Sequence, residues 1–172
     1  MEFRANKLGK DELFWRDRHD WLFEHGYVLR PRYRPGWEPS WKGTNGFPLR
    51  FEDGWQILVS CFYDAPDKLV TDLPQPGSNV LDAVRQSDGE MVMLKQVSRS
   101  IHPNEISIGQ YLSSPDLALD PRNHSCPVLD VLQDPLDPDM QLLVMPLLKE
   151  FNEPPHITVG EAIDFFRQAF EV

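Results

Sequence analysis

Apolar and polar positions change their period several times along this chain, and each change marks an element. Across 11–25, Phe14, Trp21 and Leu22 fall on one side of a helical wheel, and Gly26 stands where a helix stop belongs. A helix is predicted there. Residues 30–48 hold four prolines and three glycines, which predicts an extended, irregular stretch. All five tryptophans (Trp15, Trp21, Trp37, Trp41, Trp55) lie in the first third, so this leader is expected to be docked, not free. Runs 47–51 and 55–62 flank Glu52-Asp53-Gly54, a hairpin signal, and 64–79 reads as a loop. Runs 80–85 and 90–97 predict a second hairpin around Gln86-Ser87-Asp88-Gly89.

The second half continues with a short helix opened by Ile101-His102-Pro103, proline taking the first helical position, and running to about Leu112. Strands are predicted over 127–133 and 140–148, on either side of a polar turn at 134–139. A last helix starts at Thr158, where Thr158-Val159-Gly160-Glu161 is a capping box. Its Ala162, Ile163, Phe166, Ala169 and Phe170 keep helical spacing, and Phe165 widens the apolar face. The expected fold class is therefore α+β: an antiparallel sheet with one short helix, an N-terminal helical leader and a C-terminal helix. The expected division is 1–46 for the leader and 47–172 for the domain.

Composition narrows the setting. At 172 residues, 41% hydrophobic, the chain has enough apolar side chains for one core. Mean hydropathy is −0.44, and no apolar run approaches the roughly 20 residues that span a bilayer. The first residues lack a secretory h-region, and two cysteines (Cys61, Cys126) make no disulfide framework, so an intracellular, cytoplasmic location without membrane contact is expected. Asn123-His124-Ser125 then matches a glycosylation acceptor only by chance.

The net charge of −10 disfavours nucleic acid as a partner. One patch runs against that field: Arg30, Arg32 and Arg34, interleaved with Tyr33 and Trp37, have the composition of a base-stacking strip. Pro31 and Pro35 favour the plainer reading of a stiff tether along the domain surface.

Candidate chemistry concentrates on two positions. Strand alternation over Met91-Val92-Met93-Leu94-Lys95 puts Met91, Met93, Lys95 and Val97 on one face, so an ammonium ends an apolar row. In the following helix Glu105, Ile108, Gly109 and Leu112 share a stripe, which places Glu105 on the inward side. Singly, Lys95 reads as a snorkelling strand-end lysine and Glu105 as an early-helix carboxylate favoured by the dipole. Together they read as a pair.

A hairpin, a strand ending in lysine, a helix with an inward glutamate, then two strands and a linker resembles the small, ATP-binding lobe of a protein kinase. Segment 81–89, Asp120-Pro121-Arg122-Asn123-His124 and the helix at 159–170 make it similar to the divergent kinase-like proteins abundant in mushroom-forming fungi. The resemblance implies ATP as ligand, with Lys95 gripping its phosphates and Glu105 holding the lysine. It implies Val80, fifteen positions before Lys95, and Met93 as the adenine roof. Segment Leu143-Val144-Met145-Pro146-Leu147-Leu148 would be the last strand and the hinge, with Met145 as gatekeeper. Adenine would then meet the carbonyl of Pro146 and both backbone groups of Leu148, so proline removes nothing the ligand needs.

Three departures accompany the resemblance. Leu73-Pro74-Gln75-Pro76-Gly77-Ser78-Asn79 is no glycine-rich loop, Lys95 and Glu105 stand only ten apart, and Met93 replaces a small alanine. No H-R-D or D-F-G string occurs in the 172 residues, so the base and the magnesium ligands of phosphoryl transfer are missing. The expectation is a kinase-like domain cut before its catalytic loop, an incomplete phosphotransferase with no magnesium site to name. The alternative is a non-catalytic interaction module that meets another protein through Phe165, Phe166 and Phe170. No metal site is expected: His124 and Cys126 are two ligands short of a tetrahedral set.

Overall fold

The structure is a computed structural model that describes residues 8–40, 42–43, 79–148 and 158–170. The leader opens with α1 (Lys10–Arg16) and α2 (His19–Glu24), followed by the short strand β1 (Tyr27–Val28) and a 3-10 turn at Pro31–Tyr33. Where one helix was expected there are two. The chain breaks at Asp17 and Arg18, because Arg18 leaves helical geometry (φ −111°, ψ 3°) and turns its guanidinium back onto Phe14. Its Nη1 donates to the Phe14 carbonyl at 3.0 Å and the group lies 3.6 Å from the Phe14 ring centre. The stop at Gly26 is as expected: it sits at φ 88°, a conformation L side chains rarely adopt.

Strands β2 (Val80–Arg85) and β3 (Met91–Ser98) form the second predicted hairpin, paired from Val80 opposite Lys95 to Val84 opposite Met91. Gly89, at φ 76°, closes its turn. The first predicted hairpin and the 46/47 boundary lie outside the described residues. Helix α3 (Glu105–Leu112) starts later than expected, since Pro103 precedes the cap residue Asn104 instead of opening the helix. A four-residue helix α4 (Pro115–Ala118) was not foreseen, although Ser114-Pro115-Asp116 is a legible start. Strands β4 (Asp130–Gln133) and β5 (Met140–Pro146) pair antiparallel. Helix α5 (Val159–Phe170) carries the expected capping box: the Thr158 N–H donates to Glu161 Oε2 at 2.9 Å and the Glu161 N–H to Thr158 Oγ1 at 3.2 Å.

The fold is thus α+β with a five-stranded sheet in the order β1-β2-β3-β5-β4, antiparallel at the β1–β2, β2–β3 and β4–β5 pairs. The chain divides into two compact units, Met1–Lys95 and Gln96–Val172.

In the first unit the leader and the β2–β3 hairpin share one sheet face. Tyr27 and Leu29 alternate with Val28 and Arg30. Since Tyr27 pairs with Arg85 and Val28 with Val84, Leu29 falls on the side of Ala83 and Leu81. Tyr27, Leu29, Leu81, Ala83, Val92 and Leu94 are all buried, with Trp15 and Leu22 of the leader helices. The described part of the leader is docked, as expected.

The second unit buries Val97, Leu132, Leu142, Leu143 and Val144. Three consecutive buried residues in β5 mark a strand covered on both faces. Local polar bonds fix its loops. Asn123 Nδ2 donates to the carbonyls of Leu112 (2.7 Å) and Leu117 (2.9 Å), while its Oδ1 accepts from the backbone N–H and hydroxyl of Ser125. Asp139 accepts from the hydroxyls of Ser98 (2.7 Å) and Ser100 (2.9 Å), which hold its carboxyl below the usual carboxylate range.

Candidate functional site

The β2–β3 register builds one face of the candidate site. Residues directly opposite in an antiparallel pair share a face, as do residues two apart on one strand. Val80 and Lys95 are direct partners, and Asp82 and Met93 are the next pair on the same face, followed by Val84 and Met91. This grouping brings together Val80, Met93 and Lys95, all three half-buried. It also corrects the expected burial of β3. The fully buried positions are Val92 and Leu94, not Met91 and Met93, while Val97, in phase with Lys95, is buried as expected of its row. The strand is apolar on both sides, so period alone did not say which face was covered.

A residue that the sequence reading passed over stands in the middle of this face. Asp82 is 1% exposed, inside the apolar run Val80-Leu81-Asp82-Ala83-Val84. Its carboxylate accepts from Arg30 of the leader, Nε to Oδ2 at 2.9 Å and Nη2 to Oδ1. A carboxylate in an apolar strand signals a buried cation. Sequence could not name the cation, because it lies 52 residues away.

A second buried pair lies within the leader. Arg32 donates from Nε to Glu12 Oε1 at 2.6 Å and from Nη2 to Oε2 at 3.2 Å, and its guanidinium lies 4.8 Å from the Trp37 ring centre. Glu12 Oε2 also accepts the Gly9 N–H at 2.7 Å. Beside them Tyr33 is buried, and desolvation, then the Glu12 charge, pushes its hydroxyl up to about 12. These contacts overturn the base-stacking strip. Arg30 and Arg32 are committed to carboxylates, and of the three arginines only Arg34 is exposed.

The remaining candidates belong to the second unit. Glu105 is the first residue of α3 and half-buried. The inward stripe is Glu105, Ile106, Gly109 and Leu112, whereas Ile108 is 55% exposed. At 100° per residue that stripe centres on Gly109. There a Cβ would stand 2.9 Å from Val128 Cγ2, so the glycine sets which side approaches its neighbour. Met145 and Pro146 end β5, half-buried, and Leu148 beyond them is exposed. Of segment 73–79, where a phosphate loop would stand, all but Asn79 lies outside the described residues.

Other chemistry is sparse. A shallow depression of about 340 Å³ is lined by Arg16, Asp17, Asp20, Pro35 and Gly36, and none of the candidate residues borders it. Burial pushes the Cys126 thiol up, which keeps it protonated and unreactive near neutral pH. Among the described residues no group of three or more His, Cys, Asp or Glu is placed to hold a metal ion, and no helix is long and apolar enough to cross a membrane. No family model, curated protein or solved structure matches the chain.

Proposed function

We propose that the chain is a protein-kinase-like small lobe whose β2–β3 face binds ATP. The observation that carries this is the direct pairing of Val80 with Lys95, one step from Met93. Two apolar side chains and an ammonium on one face support the kinase resemblance. In this reading Val80 and Met93 cover adenine and Lys95 meets the phosphates. The 172 residues offer neither a catalytic base nor the magnesium ligands of a kinase, so this chain positions nucleotide without transferring phosphate. Fluorescence titration with ATP tests the reading. Lys95→Met should weaken binding about tenfold or more while the thermal melt stays put, and equal affinity for parent and variant would refute it.

A second reading, an interaction module, is favoured by α5. Val159, Ile163, Phe166 and Phe170 are 77, 61, 56 and 80% exposed and follow a 4-3-4 spacing, the seam of a helix pair. Phe165, counted with them from sequence, is instead half-buried, edge-on to Phe166 at 5.4 Å. Pairing with a second copy would cover this seam. Light scattering should then show mass rising with protein concentration in the parent and not in Phe166→Asp/Phe170→Asp. A parent that stays monomeric at every concentration would exclude it.

A further inference from the structure

We infer that Arg30 is a positioning residue of the nucleotide face, cancelling the charge of Asp82 so that a polyphosphate can sit beside Lys95. This inference rests on the ATP reading above. Continuing the β1–β2 register past Val28 opposite Val84 sets Arg30 opposite Asp82, on the face that holds Val80, Met93 and Lys95. Asp82 is two residues from Val80 along β2, so its backbone is roughly 7 Å from that of the Val80–Lys95 pair, whose lysine would meet the phosphates. A bare carboxylate there would repel them, and burial leaves little water or salt to screen the repulsion. Arg30 removes it. The guanidinium fork takes both carboxylate oxygens, and the two side chains are 8% and 2% exposed, so Asp82 enters the face as half of a neutral pair. The leader therefore contributes to the electrostatics of the site as well as to the core.

A purely structural pair would dock the leader and affect every ligand alike. An electrostatic role acts only on charged ones. The experiment compares ATP with adenosine, which lacks phosphate, on the full chain and on Arg30→Met, Asp82→Asn, the double variant and Lys95→Met. Arg30→Met should weaken ATP about tenfold or more, most at low salt, and leave adenosine within about threefold of the parent. The double variant should return ATP affinity to within about threefold of the parent. If Arg30→Met does not fold, Asp82→Asn is decisive: an unopposed guanidinium should tighten ATP severalfold without changing adenosine. Parallel loss of both ligands in Arg30→Met, a double variant as weak as the single, or no gain in Asp82→Asn would overturn the inference. ATP binding that depends on Lys95 but not on Arg30 would overturn this inference alone. A parent that binds ATP no better than Lys95→Met would overturn the nucleotide reading as well.

Discussion

Tyr33 lies buried between two ion pairs, Arg32 on Glu12 and Arg30 on Asp82, and that placement gives the leader a measurable alkaline signature. Its hydroxyl is raised from 10.0 to about 12, first by desolvation and then by Glu12. A raised acid favours its neutral form in the fold. The stability it contributes, roughly 2–3 kcal/mol, is fully present below pH 10 and lost as pH rises through about 12. In an alkaline absorbance titration Tyr33 should ionise about two pH units late, and Tyr33→Phe should remove that late component. A titration in which every tyrosine ionises near pH 10, unaltered by Tyr33→Phe, would contradict this burial. At this scale the sequence was only half legible. Asp82 among apolar neighbours and arginines among prolines were each visible as odd, but which carboxylate met which guanidinium depends on contacts across 20 and 52 residues. Arg32 in particular has the composition of a nucleic-acid contact and the environment of a core residue.

Elements were most legible where a single local rule decided them. The capping box of α5, the Gly26 stop and the Gly89 turn all formed where the pattern put them. Local rules failed where two faces were equally apolar or a side chain reached back. Strand β3 hides Val92 and Leu94 in place of its methionines, and Arg18 splits the leader helix by folding onto Phe14. Helix α3 is rotated relative to the expected stripe: Ile106 takes the inward place of Ile108, and Gly109, which approaches Val128, sits at the centre of that side. Gly109→Ala sets two effects against each other. Helix propensity gains up to about 1 kcal/mol, and overpacking against a stiff β-branched side chain costs about 1–3 kcal/mol. The second should win, lowering stability by about 1 kcal/mol in urea unfolding. Val128→Ala in the Gly109→Ala background should recover most of what the alanine costs there. A stabilised Gly109→Ala single variant would show that α3 has room at this position.

At the scale of the whole molecule the leader belongs with the β2–β3 hairpin in one compact unit, supplying a strand, two helices and the partner of Asp82. A chain with net charge −10 opposes an anionic ligand at long range, so the ATP binding proposed above would depend on a local cation and on silencing nearby carboxylates. Lys95 and the Arg30–Asp82 pair meet those two requirements on one sheet face. The measurement that tests this most directly is an NMR titration of the isotope-labelled chain with ATP, following every backbone amide. The account predicts saturable shifts centred on Val80, Asp82, Met93 and Lys95, with the Asp130–Gln133 strand unmoved. Saturable shifts centred elsewhere, or none at ATP concentrations well above a millimolar dissociation constant, would contradict it.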